Sequence, residues 1–129
     1  MNLLLDTNAW IRLTQNPSEL STAARQALIA ETTLALSPIS IIEVAQLQTR
    51  NRLSLTQPLE EWMSHALPPF IQLLEITPAI ACDAYRIPDF HGDPADRIIA
   101  ATARTHHLTL VTSDKALIAH TEVKTLSSR

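Results

Sequence analysis

The chain has 129 residues, 46% of them hydrophobic, with a net charge of -3 and one cysteine, Cys82. That suffices for one domain over residues 1–129 with its own core, and it excludes an internal disulfide, a Cys/His zinc cluster and a broad basic face that grips polyanions by counterion release. No apolar run reaches membrane length and MNLLLDTNAW is too short a start for a secretory leader, so a cytoplasmic protein with no membrane attachment is expected.

In chain order, NLLL (2–5) predicts a strand, followed by a short helix over 8–14. Ser21 introduces a helix over 22–31, TLAL (33–36) is a second strand, and a helix runs from 41 to about 50. Thr56, Gln57 and Pro58 open a helix that Pro68 and Pro69 close, because proline cannot continue it. FIQLLEI (70–76) is a third strand, and Thr77 before Pro78 starts a helix to about residue 86. Asp93 before Pro94 caps the next helix, which His106 and His107 close. LTLV (108–111) and VKTL (123–126) supply the last strands. Short apolar strands alternating with helices predict an α/β fold, a parallel sheet covered on both faces. Trp10, Trp62 and Tyr85 are too few and too scattered for a base-stacking platform and are assigned to core or dimer packing.

Ligands of open parallel sheets gather beyond the carboxyl ends of the strands. Asp6 ends the first strand and Asp114 follows LTLV, while Glu43 and Asp96 fall in the first turns of helices that start at the same edge. Each has a local alternative. Asp6 and Asp114 suit turn or cap positions, and Ser40-x-x-Glu43 fits a capping box. Asp96 is harder to explain locally: steps of three and four lead to Ile99, Ala100, Ala103 and His107, so it lies on the buried stripe of its helix. Two carboxylates about 5 Å apart repel by roughly 3 kcal/mol at an effective dielectric of about 20, and capping gives no reason to gather four. A hard divalent cation such as Mg²⁺ or Mn²⁺ does, because it takes oxygen ligands and keeps open positions for phosphate.

LLLDTNAWI, SPISIIEVAQL, HGDPADRIIAATA and LVTSDKAL, in this order and spacing, resemble PIN-domain nucleases, and among them the small VapC-type toxins of bacterial toxin-antitoxin pairs. The resemblance covers essentially the whole chain. It implies a sheet of about five strands in the order 3-2-1-4-5, a homodimer, and an antitoxin protein that covers the cleft. It also implies endonucleolytic cleavage of RNA with one or two Mg²⁺ or Mn²⁺ ions. The acidic quartet carries over onto Asp6, Glu43, Asp96 and Asp114, with Thr7, Asn8 and Ser40 as polar neighbours and Asp93 in support. Ala95 departs from the bulky residue that many members with this motif carry. Arg97, Arg86, Arg50 and Arg52 are the candidate phosphate contacts, each with the alternative of a solvated charge or an internal ion pair. Phosphoaspartyl chemistry is disfavoured, since Thr7 and Asn8 stand where a second acid beside Asp6 is needed. The remaining rival is a non-catalytic PIN scaffold whose acids dock a partner's arginine.

Overall fold

Leu3–Leu5 forms a strand, β1, buried along its whole length, and the rest of the sheet is laid around it. The computed structural model describes residues 1–90 and 92–129. Beside β1 on one side lies β2 (Leu34–Leu36) and then β3 (Ile71–Leu73), on the other β4 (Thr109–Thr112) and then β5 (Thr125–Ser127). All four pairings are parallel, with Leu4 opposite Ala35 and Leu110, so the order is 3-2-1-4-5 as expected.

Side chains alternate across the sheet with period two, and this divides the core. Leu3, Leu5, Leu36 and Val111 face one layer, where they meet Trp10 of α1 (Thr7–Gln15), Leu28 of α2 (Thr22–Ile29), Val44 of α3 (Pro38–Thr49) and Trp62 of α4 (Leu59–Ala66). Leu4, Ala35 and Leu110 face the other, against Ile99, Ala100 and Ala103 of α6 (Pro94–Thr105) and Leu117 of α7 (Lys115–Ala119). The alanines let α6 lie close to the strands, and α5 (Pro78–Ala84) packs outside it through Ile80, Ala84 and Ala101. Among the described residues no helix is long and apolar enough to cross a membrane.

Both tryptophans serve packing, as expected. Their rings meet edge to face at 5.1 Å, and each indole N–H is satisfied, by the Ala66 carbonyl at 2.8 Å and by Gln15 Oε1 at 3.0 Å. Tyr85 lies outside the core: it is exposed, and the Arg97 guanidinium lies 5.1 Å from its ring centre. His107 does close α6, in the left-handed conformation at φ 53°.

Two boundaries move and one short element is added. β3 shrinks to three residues at the sheet margin, where Gln72 and Leu73 are exposed. Pro17–Glu19 adds a short 3₁₀ turn that the sequence reading lacks. The third change bears on chemistry. Helix α3 begins at Pro38, three residues earlier than expected, capped by Ser37 Oγ accepting from the Ile39 N–H at 3.3 Å. Ser40 is therefore inside the helix and buried, and Glu43 sits in its second turn. The capping-box alternative for Glu43 is overturned.

Candidate active site

Asp6 follows β1 directly and caps α1, its Oδ1 accepting from the Ala9 N–H at 2.7 Å. The carboxylate is buried and also bonded by the Thr112 hydroxyl of β4. Burial raises its pKa above the ordinary value, with Asp114 adding to the rise, against the opposing pull of Thr112, the Ala9 N–H and Arg12. Thr112 Oγ1 in turn accepts from the Asp114 N–H at 3.0 Å. One buried hydroxyl thus ties the first acid to the segment that carries the last.

Asp114 caps α7, with Oδ1 2.8 Å from the Ala116 N–H, so for this residue the local and functional readings coexist. Glu43 projects from α3 toward the same edge. Its Oε1 is hydrogen-bonded to Thr7 Oγ1, which lies 2.9 Å from Ser40 Oγ. Thr7 has a single proton and gives it to the carboxylate, and Ser40 then donates to Thr7. Burial raises the Glu43 pKa, and the charges of Asp93 and Asp6 raise it further against the Thr7 bond.

Asp96 completes the group from the first turn of α6. Asp93 caps that helix, its Oδ1 accepting from the Asp96 N–H at 2.8 Å, as the Asp-Pro pair predicts. Burial foremost, then the charges of Asp93, Glu43 and Asp114 and a hydrogen bond with the Asp93 carboxyl, push the Asp96 pKa up to about 7. Gly92 sits against it: a Cβ there would lie 2.9 Å from the Asp96 Cβ and 2.4 Å from Phe90 Cζ.

The four acids therefore reach one edge from four separate elements and feel one another's charge. None forms an ion pair among the described residues, whose salt bridges are Arg12 with Glu19 and Arg104 with Asp83 and Glu122. Nor do three His, Cys, Asp or Glu side chains among them come close enough to hold a metal ion as they stand. Each carboxylate is satisfied separately, by a helix N-terminus, a hydroxyl or Asp93, and this keeps like charges apart. The donor set is nonetheless all hard oxygen, desolvated and short of positive charge, which fits Mg²⁺ or Mn²⁺ and not a thiophilic ion.

The candidate arginines fare differently. Arg97 is a clasp: Nε donates to the Gly92 carbonyl at 3.0 Å, Nη1 to Ala84 at 3.3 Å and Nη2 to Phe90 at 2.5 Å. With three of its five N–H donors engaged it anchors the segment before α6. Arg86 lines a hollow with Cys82, Asp83 and Arg104 that none of the four acids lines. Arg50 is exposed beside Ile42, Ala45 and Thr49 on the outer face of α3. Arg52 lines a cleft that also reaches Asn8. Sequence reasoning missed Thr112 and Arg12. An apolar hollow of about 380 Å³, lined by Leu13, Leu28, Ile29, Leu34 and Phe70, lies where β2 and β3 begin, the end away from the acids.

A parallel 3-2-1-4-5 sheet with acids converging beyond the carboxyl ends of β1 and β4 defines the class, and residues 3–123 match the family described as PIN domain. The chain belongs to that family. It is 39% identical over 119 residues to Ribonuclease VapC22 of Mycobacterium tuberculosis, covering 92% of this chain and 91% of that one. Among solved structures it resembles the toxin-antitoxin complex from Klebsiella pneumoniae at 28% identity and TM-score 0.69, with 94% of each chain covered. The DNA-bound VapBC of Salmonella typhimurium shares the fold at TM-score 0.74 and 19% identity, over 100% of this chain and 99% of that one.

Proposed function

We propose that the protein is a Mg²⁺- or Mn²⁺-dependent endoribonuclease, the toxin of a toxin-antitoxin pair, with Asp6, Glu43, Asp96 and Asp114 as its catalytic and cation-binding residues. The observation that carries this reading is the convergence of four carboxylates from β1, α3, α6 and the end of β4, with no cationic side chain among the described residues paired to them. Its kinship with a ribonuclease and with a toxin-antitoxin complex supports the substrate and the biological role.

One or two ions held there would acidify a water for attack on phosphorus and offset the negative charge that builds on the phosphoryl oxygens. The chain's own residues set the stage. Thr112 fixes Asp6 relative to Asp114, and the Ser40–Thr7–Glu43 chain holds the glutamate toward the same edge. Asp96, with its pKa pushed up to about 7, retains a proton below that pH, which limits the repulsion within the cluster in the absence of a cation. An antitoxin that covers this edge would present a positive side chain to the acids, and a homodimer is the proposed assembly.

The test is RNA cleavage by the purified protein with Mg²⁺ or Mn²⁺. Chelation should abolish it, addition of either cation should restore it, and Asp96→Asn should remove it. Measurable cation binding with no hydrolysis across a panel of RNAs would instead establish the non-catalytic scaffold.

A further inference from the structure

Beside the acids, α1 and the linker between α3 and α4 enclose a cleft of about 400 Å³ that none of the four acids lines. Three arginines, Arg12, Arg52 and Arg129, line it with a single acid, Glu19. In a chain with 10 basic and 13 acidic side chains that is a local reversal of sign. The cleft is built in place. Gln15 Oε1 accepts from the Thr56 N–H and from Trp62 Nε1, both at 3.0 Å, which ties the linker to α1. Asn51, at φ 56°, turns the chain as α3 ends, so that Arg52 faces the cleft.

Two residues connect the cleft to the site. Asn8 lines it one position after Thr7, and Arg12 reaches across to Ser113, the neighbour of Asp114. The Arg12 side chain is only 13% exposed, yet its contacts are long: 4.0 Å from Nε to Glu19 and 3.4 Å from Nη1 to Ser113 Oγ. A nearly buried guanidinium carries five N–H donors, and these two contacts leave most of that capacity free for an anion.

We propose that this cleft holds the RNA strand to one side of the scissile phosphate, with Arg12, Arg52 and Arg129 binding backbone phosphates. The proposal rests on the nuclease reading above and assigns the substrate path to a stated wall of the molecule. Arg12 stands at its inner end and the exposed Arg52 and Arg129 further out. Phosphate binding here is independent of base sequence, so this wall sets affinity and register and leaves sequence choice to other contacts.

Arg52→Ala/Arg129→Ala is the informative variant, because both side chains are exposed and neither is in an ion pair among the described residues. Binding of a labelled single-stranded RNA is measured by anisotropy in the Asp96→Asn background with Mn²⁺, across a series of salt concentrations. Loss of two phosphate contacts should lower the slope of log K against log salt by about 1.4, at about 0.7 per contact on single strands. In the chain that retains Asp96, the same pair should raise KM about tenfold with kcat within about threefold. Arg25→Ala/Lys124→Ala, on other surfaces, serves as the control and should change neither quantity. An unchanged slope, or an equal loss in the control, overturns the proposal. So does a result in which RNA binding persists and only capture of the antitoxin is lost, which would make the cleft a protein-docking surface. Absence of cleavage by the unaltered protein would count against the nuclease reading alone, since the salt slope reports the cleft without hydrolysis.

Discussion

Replacing Asp96 by asparagine should stabilise the protein in the presence of a chelator while removing its activity, and the pH dependence of that gain reports its cause. The folded-state pKa is raised from 3.8 to about 7, first by burial and then by the charges of Asp93, Glu43 and Asp114. Between these values the folded chain binds a proton that the unfolded chain releases, so stability falls as pH rises from about 4 through 7. At full strength a shift of this size is worth about 4 kcal/mol, at about 1.36 kcal/mol per unit. The side chain is half-buried, so solvent screening reduces the expected loss to about 1 to 2 kcal/mol. The asparagine introduced by Asp96→Asn is neutral at every pH, and its amide can donate to the Asp93 carboxylate. Thermal denaturation with EDTA at pH 4.5, 6, 7 and 8 should therefore show the Asp96→Asn melting temperature above that of the parent by about 3–10 °C at pH 8, converging near pH 4.5. Asp93→Asn makes the useful comparison. It keeps a helix cap and removes a like charge but leaves Asp96 desolvated, so it should recover a smaller part of the slope and retain cleavage. A parent protein whose stability does not fall over this range, or an Asp96→Asn protein that melts lower at pH 8, would refute the reasoning.

Three further sets of substitutions follow from the same geometry. Glu43→Gln keeps an oxygen for the Thr7 hydroxyl but loses the charge, so cleavage and Mn²⁺ affinity should fall at least tenfold, while the melting temperature under EDTA holds or rises; titration calorimetry and a melting curve on one preparation check both. Ser37→Ala should cost about 1 kcal/mol through the lost α3 cap, read by denaturant titration. Ser40→Ala cannot act through a cap, and should act instead by freeing Thr7 and hence Glu43, seen as a fall in kcat larger than its stability cost predicts. Gly92→Ala forces a Cβ into Phe90 and Asp96, so a loss of about 1 to 3 kcal/mol is expected together with reduced cleavage as Asp96 shifts.

The architecture is legible because its signals are local. Apolar runs such as Leu3–Leu5 and Leu34–Leu36 that alternate with helical segments suit strands buried on both faces of a parallel sheet, and proline after Asp93 and Thr77 marks helix starts within a residue. The start of α3 is harder to read because two local signals compete. Both Ser37 and Ser40 are capping residues, and Pro38 favours the earlier start because its ring fixes the φ angle of a first helical residue. Weighting the proline moves Ser40 and Glu43 into the helix and removes the capping box. The same preference sets the helix starts at Asp93-Pro94 and at Thr77-Pro78, so the signal is present in the sequence.

The acids are legible for a different reason from the residues that hold them. A carboxylate at the end of an apolar strand or on the buried stripe of a helix is costly, and that cost is visible in one segment at a time. Thr112 and Arg12 carry no such mark. A threonine within LTLVTS reads as an ordinary strand residue, and only the pairing of β4 with β1 puts its hydroxyl on Asp6 while it also receives the Asp114 N–H. Arg12 reads as one polar residue on an amphipathic helix until the β4–α7 turn brings Ser113 beside it. Arg97 is legible in part: as the residue after Asp96 it points about 100° away around the helix, and its side chain reaches the Ala84, Phe90 and Gly92 carbonyls. Charge that is misplaced for folding can thus be found from sequence, whereas the groups that position it depend on contacts between elements. In this chain those contacts run through β1 and β4, the two strands whose carboxyl ends carry Asp6 and lead to Asp114.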